Sequence, residues 1–233
     1  MAKWLCLLAR KNYKDPIKTF QSQVRKVVTD SKILIPQVIK CKYISMNPTA
    51  TTIKGLIKTR KPEHPIGLVV NWRGAPAYKF ARLFTQKIKQ LAPLPNRHNA
   101  DNTRDVIKKL NDIPALPHFT LASLDITNIY TNIPATETRN IISNTLKENL
   151  LDPQTQQELL NWYDVITQQY YFTINDEILV HRNGLALGAS KSGLISEFFS
   201  IKLRTPSLST PIKLTWDHQL PPLRWRHTVN LRL

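Results

Sequence analysis

The sequence predicts an α+β fold. Three observations carry that expectation: apolar residues at helical spacing in several segments, an apolar run that ends in an acid at 120–126, and a two-strand pattern around Asn175-Asp176. A chain of 233 residues is long enough for one sizeable core or two small ones.

The first helix is expected over 15–28. Asp15 can cap it, Pro16 suits the first helical position, and Phe20, Val24, Val27 and Val28 form one apolar face. A basic segment punctuated by Gly and Pro follows over 55–74, around a short strand at Gly67-Leu68-Val69-Val70. A second helix runs from about Pro76 to Leu91, with Phe80, Leu83, Phe84, Ile88 and Leu91 inward; Pro93 and Pro95 end it. A third covers about Arg104 to Leu110. The run from Thr120 to Ile126 reads as a buried strand. Helices follow from about Pro134 to Leu146 and from Asp152 to Gln168, the latter capped by Asp152 with Pro153 at its first position and Leu159, Trp162 and Ile166 inward. Tyr170 to Ile174 and Glu177 to Val180 read as a hairpin. A Gly-rich turn, 184–188, leads into a helix that begins near Ser190 or Ser192. After Phe199 the pattern changes: four prolines, six Lys or Arg, one acid (Asp217) and no clear period.

Charge narrows the function. Lys and Arg number 33 against 16 Asp and Glu, a net charge of +17 spread along most of the chain. The expected partner is a polyanion, with nucleic acid ahead of a membrane surface, because no basic amphipathic helix or juxtamembrane cluster stands out. Plain solubility is the other source of such a charge. Hydrophobic residues make up 42%, which fits a globular chain rather than a disordered one. Cys6 and Cys41 lack C-x-x-C spacing and read as free thiols in a reducing compartment. None of the six histidines falls at zinc-ligand spacing. The apolar run near Met1 is too short for a signal peptide or a membrane span, so an intracellular protein, nuclear or cytoplasmic, is expected.

Three segments carry chemistry. Leu124-Asp125-Ile126-Thr127-Asn128-Ile129-Tyr130 puts an acid at the end of an apolar strand, which is costly unless a positive group meets it. A divalent metal is one such partner, since two-metal phosphoryl-transfer sites hold their ions about 3.5–4 Å apart between carboxylates. Capping of the following turn is the other reading of Asp125. The second segment, Asn183 to Gly193, has glycines that let backbone approach a ligand, and Ser190 and Lys191 at a helix start, where a phosphate can bind. It is not a P-loop, and a simple strand-to-helix turn is the favoured reading of this segment alone. The third, Gly55-Leu56-Ile57-Lys58-Thr59-Arg60-Lys61-Pro62, is either a grip for a triphosphate or template backbone, or a solvated charged loop.

Taken together and in this order, these segments resemble the reverse transcriptases of Penelope-like and related retroelements. The family's G-L-P-K-x-H-K-P segment has its counterpart in Gly55 to Pro62. Its R-G-[SA]-P-x-Y-K-x-A helix start is matched by Arg73-Gly74-Ala75-Pro76-Ala77-Tyr78-Lys79-Phe80-Ala81. Its L-D-[VI]-x-x-x-[FY]-T-N-[IV]-P motif is matched by Leu124 to Pro134, and its D-G-L-A-M-G-A-P-x-S-x-x-[IL]-[AS]-E-x-F motif by Asn183 to Phe199. The resemblance covers about residues 15 to 199. It implies right-hand polymerase fingers plus a partial palm, lacking the catalytic D-D hairpin and the thumb. The segments would divide as 1–50 N-terminal helical, 51–120 fingers-like, 121–199 partial palm and 200–233 divergent tail.

The resemblance also implies roles. Asp125 would ligate Mg²⁺ with help from the Ile126 carbonyl. Tyr130 would be the steric gate against a ribose 2′-hydroxyl, and Lys58 would meet the incoming triphosphate. Gly184 and Gly188 would let their loop pack beside the new base pair, and Arg73 would touch template or phosphate. The implied partners are an RNA template, a DNA primer and deoxynucleoside triphosphates.

Four departures from the family pattern matter, of which the second is expected to be tolerable and the fourth to be decisive. Gly67 stands where an L-R-P-I-V-S strand has Arg. Ser190 and Gly193 replace prolines or small residues, and Asn183 replaces an acid. The fourth is the largest: no Asp–Asp pair occurs anywhere in the chain, so the family's aromatic-x-D-D motif is missing. With one carboxylate where about three are wanted, Mg²⁺ would be held weakly or not at all. The expectation is therefore a reverse transcriptase fragment without polymerase activity, its divergent tail pointing to a frameshift, a splice error or a premature end in a decayed element. The alternative is a non-catalytic basic protein that binds RNA or DNA.

Overall fold

The computed structural model describes residues 9–11, 16–57, 59–60, 64, 66–94, 102–112, 123–126, 130, 133–169, 171–174, 177–181, 185, 189, 191–204 and 225–228. Its elements, in chain order, are β1 (Ala9–Lys11), α1 (Ile17–Asp30), a 3-10 segment (Gln37–Tyr43), β2 (Thr52–Ile57), β3 (Ile66–Asn71), α2 (Tyr78–Leu91), α3 (Thr103–Asn111) and β4 (Ser123–Ile126). Then come α4 (Ala135–Glu148), α5 (Pro153–Thr167), β5 (Tyr171–Ile174), β6 (Glu177–His181), α6 (Ser192–Arg204) and β7 (Trp225–Thr228). Helices and strands are mixed along the chain. Five strands form one sheet in the order β1-β6-β5-β2-β3, and β4 pairs with β7 in a separate two-stranded sheet.

α5 lies at the centre. Leu159, Trp162 and Ile166 are fully buried, as the helical spacing predicts, and so is Tyr163, with Leu160 nearly so. Asp152 caps the helix through its side chain, which accepts the Thr155 N–H at 2.8 Å, and Pro153 follows. α1, α2 and α4 pack around it. Phe80 of α2 meets Trp162 with ring centroids 5.0 Å apart, and Phe84 meets Tyr163 at 6.2 Å. The Tyr163 hydroxyl donates to the Ala135 carbonyl at the start of α4 at 2.8 Å.

One buried cluster runs from Val24 of α1 to Phe199 of α6. Several polar groups at its rim are matched to partners. The Glu158 carboxylate accepts from the Ser31 hydroxyl at 2.6 Å and from the N–H groups of Lys32, Ile33 and Leu34 at 3.3, 3.1 and 3.1 Å. Trp162 donates its indole N–H to Ser31 Oγ at 2.7 Å. A single acid thus satisfies the turn after α1, which has lost its helical partners.

Several elements differ from the sequence expectation. Gly55-Leu56-Ile57 is not loop but the end of β2, paired antiparallel with β3 over six residues, Ile57 opposite Ile66. β2 is short and largely exposed, so no alternating burial marks it. The N-terminal segment includes β1, which pairs with β6, as well as a helix. Trp225–Thr228 in the tail forms a strand although its surroundings show no period; its pairing with β4 is long-range and leaves no local trace. α1 begins at Ile17, with Pro16 already at φ −80°, and Asp15 lies outside the described residues. Cys41 is an exposed free thiol.

The core makes a direct comparison possible. Leu159→Ala should cost about 2–5 kcal/mol of unfolding free energy, because its side chain is fully enclosed. Leu150→Ala, at a site 91% exposed, should stay within about 0.5 kcal/mol of wild type. Urea midpoints of the two variants check this, and equal midpoints would mean α5 is not enclosed.

Candidate nucleic-acid interface

The two motifs that flank the expected catalytic centre meet through backbone. The Leu185 N–H donates to the Tyr130 carbonyl at 2.6 Å. Tyr130 is half-buried against the core, while Ile133, Leu185 and Ala189 are buried around the junction. α6 then carries Leu194, Ile195, Phe198 and Phe199 into the core and packs on α4. A pattern of apolar residues is enough to seat this helix.

Lys191 corrects one reading of the sequence. Placed at a helix start, it was a candidate for binding phosphate. Its side chain instead runs into the protein, only 1% exposed, and its ammonium donates to the Ile166 carbonyl in the last turn of α5. It also lies over the Trp72 ring, 4.4 Å from the centroid. A carbonyl near a helix C-terminus and an aromatic face both favour a cation. Desolvation acts the other way and pushes the Lys191 pKa down to about 7. The spacing of the motif could not tell inward from outward here, because Lys191 precedes α6 and escapes its periodicity.

Arg73 is exposed in the turn that enters α2, with its N–H bonded to Asn71 Oδ1 at 3.0 Å. Gly74 next to it has φ +91° and bonds the Thr49 N–H at 2.9 Å, and a Cβ there would collide with the Thr49 hydroxyl. Glycine is required at that point of the Arg-Gly-Ala-Pro turn on both counts. At Gly193, by contrast, an added Cβ meets nothing within 4 Å, so that departure from the family pattern carries no steric cost.

Of the remaining candidates, Lys58, Gly184 and Gly188 lie outside the described residues. Asp125 and Ile126 lie in β4, where the register sets Asp125 opposite Arg226 and Ile126 opposite Trp225; their side chains are outside the described set. β4 does not share a sheet with β2, the strand that leads to Lys58. Among the described residues, the structure joins Tyr130 to Leu185. Among the described residues no group of three His, Cys, Asp or Glu side chains lies together for a metal ion. The sequence holds no Asp–Asp pair of the kind the family resemblance would require for a two-Mg²⁺ centre.

A cationic surface that the motifs did not point to lies on α2. Lys79, Arg82 and Lys89 are exposed, with Gln86 between them, and the helix contains no acid. At 100° per residue these four positions fall within an arc of about 80°, away from Phe80, Phe84 and Ile88. The signal was readable in the sequence as basic residues at i, i+3 and i+10 without an intervening acid.

No family model and no curated protein matches the chain. Among the described residues, no helix is long and apolar enough to cross a membrane.

Lys191 gives the site a pH signature. Its folded pKa lies below the 10.5 of a free lysine, so its penalty is full below about pH 7 and is relieved as pH rises toward 10.5. Wild type should gain stability on going from pH 7 to pH 10 relative to Lys191→Met, by an amount on the order of a few kcal/mol. Urea melts of both proteins across that range check it, and parallel profiles would contradict a desolvated ammonium.

Proposed function

We propose that this chain is a reverse transcriptase fragment of a Penelope-like or related retroelement, which binds RNA or DNA through surface cations and does not polymerise. The observation that carries the reading is the bond from Leu185 to Tyr130, which joins the two segments that resemble the family's first and second catalytic motifs. Their contact is what a shared nucleotide site would need. Gly74 adds to it, since the glycine of the Arg-Gly-Ala-Pro turn is required by backbone geometry.

Binding follows from the charge. A net +17 and an acid-free face on α2 attract phosphates without reading sequence. Arg73, Lys79, Arg82 and Lys89 would contact backbone phosphates, and Tyr130 would sit beside the sugar of a bound nucleotide. The missing step is metal-dependent transfer. Phosphoryl transfer between nucleotides depends on ions that offset charge at the attacking and leaving oxygens. With the donor set short, a loss of several kcal/mol in the transition state follows, and each 1.36 kcal/mol is about tenfold in rate. The simpler reading, a basic nucleic-acid-binding protein with no polymerase descent, is favoured by the same charge and by the donor set.

Two assays test this. Primer extension on an RNA template with Mg²⁺ should yield no product, and product that disappears in Asp125→Ala would overturn the inactive assignment. Affinity for RNA should fall as salt rises. In Lys79→Gln/Arg82→Gln/Lys89→Gln the slope of log K against log salt should shrink by about 2–3, with Asp125→Ala unchanged. A triple variant with the wild-type slope would remove α2 from the interface.

A further inference from the structure

The five-stranded sheet has two edges that differ in kind. At one lies β1, Ala9-Arg10-Lys11, with two cations in three residues. Were β1 to pair antiparallel with its own symmetry mate about Arg10, like charges would face each other, which is unfavourable. Such charges are how natural sheets keep edges apart.

At the other edge lies β3, Ile66-Gly67-Leu68-Val69-Val70-Asn71, with no charge and no proline. β2 takes one side of it through a full six-residue register. Among the described residues nothing pairs with the other side. The end of the β2–β3 hairpin is also apolar and open: Leu56, Ile57 and Ile66 are 57%, 64% and 46% exposed. A flat uncharged strand with apolar neighbours is the kind that recruits another strand.

We propose that β3 pairs antiparallel with β3 of a second copy of this chain, about a two-fold axis at Val69. That register sets Val69 opposite its own mate, Leu68 opposite Val70 and Gly67 opposite Asn71, with no like charges across the seam. It joins two five-stranded sheets into one of ten strands. A two-fold contact closes on itself, so the product is a dimer and not a fibre. The partner is a second copy because this strand is compatible with itself, whereas the guarded edge at β1 is not.

The charge of the chain gives the dimer a distinctive salt dependence. Two bodies of net +17 repel, and salt screens that repulsion, so dimerisation strengthens as salt rises. Binding of nucleic acid weakens over the same range. The inference does not rest on the proposed function, and the two fail in different experiments.

Sedimentation velocity on nuclease-treated protein tests it, from low to high micromolar concentration at low and high NaCl. The expected result is a monomer–dimer equilibrium shifted toward dimer by salt, with slowed hydrogen exchange at 66–71 in the dimer. Val69→Lys sets two ammonium groups beside the axis and should raise the dissociation constant about tenfold. Ile66→Lys, at a more exposed position, should weaken the dimer too, with far-UV circular dichroism confirming the fold of each variant. Wild type that stays monomeric at both salts would overturn the proposal. So would a dimer whose 66–71 amides exchange as fast as in the monomer, or folded lysine variants that dimerise like wild type.

Discussion

Among the described residues, the helical core is arranged around the burial of α5. Leu159, Leu160, Trp162, Tyr163 and Ile166 spread over roughly 160° of its circumference, so one apolar face cannot cover them. α1, α2 and α4 supply the covering surfaces, and the indole and phenol rings bring large apolar areas with polar tips that need partners. Those tips are met: Trp162 by Ser31, Tyr163 by the Ala135 carbonyl. Two charges then stitch the hub to its neighbours. Glu158 gathers the N–H groups of the turn after α1, and Lys191 meets a carbonyl in the last turn of α5.

The candidate site is a by-product of that packing. Lys191 immediately precedes α6, so its ammonium over Trp72 and on the Ile166 carbonyl anchors the start of that helix. Leu185 is then held on Tyr130, and Trp72 leads directly into Arg73 and the start of α2. Tyr130, Leu185 and the cationic helix thus hang from one buried framework. Removing a single polar partner from such a framework leaves a donor or acceptor unpaired in apolar surroundings, which costs more than the bond itself is worth.

Much of this was legible before any coordinates. The spacing of Phe80, Leu83, Phe84 and Ile88 gave the inner face of α2, and Asp152-Pro153 gave the start of α5, because capping chemistry and helical period are local. The hairpin at 171–181 announced itself through its aromatic and β-branched residues around Asn175-Asp176. The direction of Lys191 was not legible, since a lysine beside serines at a helix start reads equally as a phosphate ligand. Nor was β7, whose pairing with β4 depends on residues a hundred positions away. The Glu158 cap on 31–34 was likewise invisible: a glutamate on a helix looks solvated until the chain brings the bare N–H groups to it. The cations of α2 were in plain view, but motif matching drew attention to Lys58 and Arg73 instead.

On the proposed function, this framework would present the cations of α2 to phosphate, and the sequence, which holds no Asp–Asp pair, would lack the family's third motif. Native-state hydrogen exchange reads the framework itself. If α5 organises the site, the amides of Ile33, Leu34 and Leu185 should open only with the helix, sharing its denaturant dependence and the global unfolding free energy. Exchange at Leu185 through a small local opening, while α5 stays protected, would show that the two motifs are not held together by the hub.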